Sequence, residues 1–139
     1  MVWYVDSSVI LRALKEQSQA AREWFNRTSL TEDRLITSKL GEVEVERIAK
    51  KNRLDQTKVD FYLNRFAYIS VSDEICAEAI ALKPNLSCAD AIHVATALRL
   101  KPFGVTLVTH DAEMAAAAIE LKLPVIDPVT DDPNRPPMA

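Results

Sequence analysis

Glycine is almost absent from this 139-residue chain, which has only Gly41 and Gly104. Loops that cradle phosphates, the dinucleotide fingerprint and the nucleophile elbow all need glycine where backbone turns sharply or nears a phosphate, so none of them is available. Histidine is equally scarce. His93 and His110 stand too far apart for an H-E-x-x-H zinc helix, and Cys76 with Cys88 falls short of a Cys/His zinc site. In apolar helical surroundings the two cysteines read as reduced core residues, which fits a cytoplasmic protein. Asp6, Arg12, Lys15 and Glu16 interrupt residues 1–20, so no signal peptide is expected. No apolar run approaches the ~20 residues that a bilayer-spanning helix needs.

The chain is 48% hydrophobic and 27% charged, the balance of one ordinary soluble domain with its own core. Short β-rich runs at Val2–Val5, Leu35–Thr37, Ala67–Val71, Val105–Thr109 and Val125–Ile126 predict strands. Between them, apolar residues at helical spacing predict helices over 9–16, 19–28, 39–51, 55–65, 73–82, 88–100 and 111–121. Strands alternating with helices imply a three-layer α/β/α fold around a mostly parallel sheet. Ligands of such sheets bind beyond the carboxyl ends of the strands. The domain is expected to span residues 1–127, and residues 128–139, rich in proline and aspartate, to form a surface or disordered tail.

Charge argues against indiscriminate nucleic-acid binding, since the net charge is −3 with a pI of about 5.4. It is unevenly spread, with twelve basic against ten acidic side chains in residues 1–70 and five against ten in residues 71–139. Arg12, Lys15, Arg22, Lys39, Arg47, Lys50, Lys51 and Arg53 are the candidates for phosphate contacts, against the alternative of a solvated helical surface.

Four carboxylates occupy unusual places. Asp6 directly follows the first strand and Asp111 the strand 105–109, and either could instead be a helix N-cap. Among Glu42, Glu44 and Glu46, a turn of about 100° per residue sets Glu44 between Leu40 and Ile48 on the apolar face, with an ion pair to Arg47 as the rival reading. Asp90 lies in Leu86-Ser87-Cys88-Ala89-Asp90-Ala91-Ile92-His93, where Ser87-x-x-Asp90 also resembles a capping box. His93 reads as a hydrogen-bonded core histidine or a groove wall. Carboxylates within ~4–6 Å raise one another's pKa, so a cluster of them calls for a cation, and an all-oxygen donor set favours Mg²⁺ or Mn²⁺.

Tyr4-Val5-Asp6-Ser7-Ser8-Val9, Thr37-Ser38-Lys39-Leu40 through Glu44, the Asp90 block and Leu107-Val108-Thr109-His110-Asp111 together resemble the PIN-domain ribonucleases, specifically the VapC-type toxins of toxin–antitoxin pairs. The resemblance implies that Asp6, Glu44, Asp90 and Asp111 are the catalytic, metal-holding acids, with Ser7 and Thr109 supporting them. It further implies an Mg²⁺- or Mn²⁺-dependent endoribonuclease acting on transfer or ribosomal RNA, a homodimer, and inhibition by a cognate antitoxin. Two other readings are a catalytically idle PIN scaffold and a phosphoaspartyl-type phosphatase; the latter normally wants a second Asp two residues after the first, where this chain has Ser8. A receiver domain would need an acidic pair and a late lysine that this order of motifs does not provide.

Overall fold

The computed structural model describes residues 1–130. Strands β1 (Val2–Val5), β2 (Arg34–Ser38), β3 (Phe66–Ile69), β4 (Val105–Val108) and β5 (Val125–Ile126) form one sheet in the order β3-β2-β1-β4-β5. Every neighbouring pair is parallel. Helices α1 (Ser7–Leu14), α2 (Gln19–Ser29), α3 (Lys39–Lys51), α4 (Gln56–Leu63), α5 (Asp73–Ala81), α6 (Cys88–Leu98) and α7 (Ala112–Glu120) connect them. The expected three-layer architecture is therefore present.

Side chains alternate across the sheet, as a strand's period of two dictates. Val5, Leu35 and Val108 face α1 to α4 and join a core that includes Phe25, Trp24 and Tyr62. Tyr4, Val105 and Leu107 face the other way, against Val94 of α6 and Met114 and Ala118 of α7. The first core is rich in aromatic edges: Phe25 meets Trp24 and Tyr62 in T-shaped pairs with centroids 5.1 and 5.3 Å apart.

Chain direction decides where a site can form. From β1 the chain moves outward through β2 to β3, then returns through α5 and α6 to pair β4 with the opposite side of β1. The carboxyl ends of β1 and β4 thus flank the point where the winding reverses, the usual ligand crevice of an open parallel sheet.

Three details differ from expectation. Helix α1 starts at Ser7, not Val9, so no turn separates it from Asp6. Ordered chain passes the expected boundary at 127: Asp127 Oδ1 accepts from the Val129 amide, and Val129 is buried in the core. Residues 131–139 of the expected tail lie outside the described residues. Cys88 is exposed and Cys76 half-buried, so neither is a core residue, because both lie on the outer α5–α6 hairpin, away from the sheet. Among the described residues no helix is long and apolar enough to cross a membrane.

Candidate functional site

Asp6 ends β1 in extended backbone, and its amide continues the ladder to the Val108 carbonyl at 3.1 Å. It stands at the N-cap position of α1, yet its carboxylate caps nothing. The side chain is 3% exposed and takes two hydroxyl bonds instead, from Ser8 Oγ to Oδ1 at 2.6 Å and from Thr109 Oγ1 to Oδ2 at 2.9 Å. Burial drives its pKa up to about 6; the two hydroxyls and the nearby His93 pull it down, and the Asp111 charge pushes it up. An acid so placed is costly to ionise without a cation.

Thr109, also buried, connects two of the acids, because the oxygen that donates to Asp6 accepts from the Asp111 amide at 3.0 Å. Asp111 does cap α7: its Oδ1 accepts from the amides of Glu113 and Met114 at 2.9 and 3.1 Å. Capping and site membership are compatible here, since Oδ1 alone serves the helix. Asp90, half-buried in the first turn of α6, has its own amide capped by Ser87 Oγ at 3.3 Å. Its pKa is raised, first by burial and then by the Asp111 charge, and a hydrogen bond with Asp111 raises it further. The Asp111 charge therefore bears on both Asp6 and Asp90, and the main influences on those two carboxyls include no lysine or arginine.

Glu44 behaves differently. The buried row of α3 is Gly41, Val45 and Ala49, while Leu40 and Ile48 are only half-buried, so the helix is turned from the orientation that its sequence suggested. The cause is Gly41, which lets α3 press onto the sheet: a Cβ there would stand 2.7 Å from Thr37 Oγ1 and 3.3 Å from His93 Cε1. Glu44 flanks that row, and its Oε1 bonds His93 Nε2 at 2.6 Å, so its partner is His93, not Arg47. Gly41→Ala should consequently cost stability. A helix-propensity gain of about 1 kcal/mol is outweighed by overpacking of about 1–3 kcal/mol against a fully buried threonine. A urea melt should show a net loss of up to about 2 kcal/mol; a higher midpoint would mean that Thr37 and His93 have room to yield.

Of the two residues expected to support the site, Thr109 bonds Asp6, and the second hydroxyl on Asp6 comes from Ser8. Ser8 Oγ also accepts from the His110 amide at 3.1 Å, and His110 Nδ1 bonds Asp127 Oδ2 at 2.9 Å, which ties the segment after β5 to the same edge. Sequence signals for these two were faint: a serine in the first turn of a helix and an aspartate beyond the last strand.

Among the described residues, no three Asp, Glu, His or Cys side chains sit close enough to share one metal ion as they stand. The donor chemistry nonetheless fits a hard divalent cation: oxygen-only groups, mutual repulsion between the acids, and one of them almost wholly buried.

The family model described as PIN domain matches residues 3–120. Among solved structures, VapBC2 from Rickettsia felis bound to a promoter DNA fragment shares 16% identity at a TM-score of 0.68, covering 91% of this chain and 98% of its own. A toxin–antitoxin complex from Klebsiella pneumoniae shares 22% at 0.68, covering 90% and 96%. Mycobacterium tuberculosis VapC20, described as a sarcin–ricin loop cleaving toxin, shares 16% at 0.60, covering 83% and 94%. No curated protein matches by sequence.

Proposed function

The chain belongs to the PIN-domain family, and on that premise we propose that it is a divalent-metal-dependent endoribonuclease, the toxin of a toxin–antitoxin pair. The observation that carries this reading is Asp6, a buried carboxylate at the winding reversal of the sheet that bonds two hydroxyls, has its pKa pushed up by burial and, to a lesser extent, by the Asp111 charge, and caps no helix. Asp6, Asp90 and Asp111 would hold Mg²⁺ or Mn²⁺, with Glu44 as the fourth acid at their side. Bound there, such an ion supplies the charge that activates water and steadies phosphate oxygens during in-line attack.

The protein's own groups do the rest. Ser8 and Thr109 hold both Asp6 oxygens in place, and the cap bonds of Asp111 fix that carboxylate against α7. The products are 5′-phosphate and 3′-hydroxyl ends, and the substrate is RNA of the transfer or ribosomal class. We further infer a homodimer in the cytoplasm, silenced by its antitoxin; the Rickettsia and Klebsiella neighbours were both solved as complexes of toxin with antitoxin. Ser8 fills the place where a phosphoaspartyl phosphatase would carry its second Asp, and it donates to Asp6, which disfavours that chemistry.

The test incubates antitoxin-free protein with total RNA and Mg²⁺, Mn²⁺ or EDTA. Discrete fragments with either metal and none with EDTA are expected. Intact RNA in every lane would leave the idle-scaffold reading standing in place of this one.

A further inference from the structure

Tyr4 and His93, which the chemistry above does not use, run as a hydrogen-bonded chain from the core to Glu44. Tyr4 Oη lies 2.7 Å from His93 Nδ1, and His93 Nε2 lies 2.6 Å from Glu44 Oε1. The tyrosine and the histidine are almost wholly enclosed, while the Glu44 side chain keeps 29% exposure at the open end. An ionised carboxylate only accepts, so Nε2 carries the hydrogen, and in the neutral ring Nδ1 accepts from the tyrosine hydroxyl. Two members of the hydrogen-bonded chain are anchored beside other site acids. Tyr4 precedes Asp6 by two residues on β1, His93 follows Asp90 by three on α6, and Glu44 rides on α3.

The packing is built around this ring. A Cβ at Gly41 would stand 3.3 Å from His93 Cε1 and 2.7 Å from Thr37 Oγ1, so any larger residue there forces one of these neighbours or the helix to shift. Buried imidazoles with both nitrogens bonded have no freedom to reorient, so the ring sets where the Glu44 carboxylate stands.

We propose that His93 is a positioning residue: held by Tyr4, it fixes Glu44 at the wall of the acidic crevice, leaving Oε2 to accept a hydrogen bond from a water at the site. This rests on the nuclease reading, and two arms keep their failures apart.

The first arm is imidazole ¹⁵N NMR of the metal-free protein. The Nε2–H tautomer is expected for His93, with Glu44→Gln moving the Nε2 signal and Tyr4→Phe the Nδ1 signal. The Nδ1–H tautomer, or signals indifferent to both substitutions, would overturn the proposal whatever the protein cleaves. The second arm is kinetic. His93→Leu should lower kcat about 10–100-fold with KM little changed, whereas His93→Gln, whose amide still donates to Glu44, should recover most of it. Combined with Glu44→Gln, His93→Leu should add no further loss, as expected of residues acting as a unit. Multiplying losses, or His93→Gln as impaired as His93→Leu, would contradict positioning through Glu44. Failure of the unmodified protein to cleave RNA would defeat the nuclease reading, and this role with it, while the NMR arm still decides the geometry.

Discussion

Asp6→Asn should abolish the proposed RNA cleavage and, in the metal-free protein at neutral pH, stabilise the fold by about 2–3 kcal/mol. Loss of function follows if this carboxylate anchors the cation, because the charge stabilisation removed is worth several kcal/mol, at least a hundredfold in rate. Gain of stability follows from burial. The folded carboxyl has its pKa raised from 3.8 to about 6, so between about pH 4 and 6 the folded state holds more protons than the unfolded one. Stability therefore falls as pH rises through that window, and above it the whole penalty is felt. Asparagine carries no charge and can still serve both neighbours: its oxygen accepts from Ser8, and its amide can donate to Thr109 Oγ1. Urea melts in EDTA at pH 5 and 7.5 should show the slope in the natural protein and not in the variant. A variant less stable at pH 7.5 would show that the fold itself requires the ionised carboxylate.

Asp90→Asn should match that loss of cleavage while leaving the urea midpoint nearly unchanged. Its pKa is also raised by burial and by Asp111, but the side chain is only half-buried, and solvent screens what the repulsion contributes to folding. Equal losses of activity with unequal effects on stability would thus separate the shared chemical role from burial. Should Asp90→Asn retain more than about a tenth of the activity, a difference of under ~1.4 kcal/mol in the barrier, Asp90 would not be holding the ion.

Much of this was legible in the residues. Alternating apolar strands and amphipathic helices specified the parallel three-layer sheet, and once β1 and β4 are neighbours, Asp6 and Asp111 necessarily share one edge. What sequence could not convey was rotation and reach. The apparent apolar face of α3 pointed to Leu40 and Ile48, whereas the buried row runs through Gly41, a residue whose small size matters only because Thr37 and His93 lie against it. The same limit hid His93 as the partner of Glu44, a contact spanning 49 positions. It also hid Ser8, whose hydroxyl reaches Asp6 because α1 begins one residue after Asp6 and its first turn swings Ser8 back. Capping and site membership looked like alternatives for Asp111, yet a carboxylate has two oxygens and this one uses Oδ1 for the cap.

Calorimetric titration of the metal-free protein with Mn²⁺ bears most directly on whether these carboxylates exist to share a cation. Saturable binding that disappears in both Asp6→Asn and Asp90→Asn is the predicted result. Undetectable binding, or binding that survives both substitutions unchanged, would contradict it.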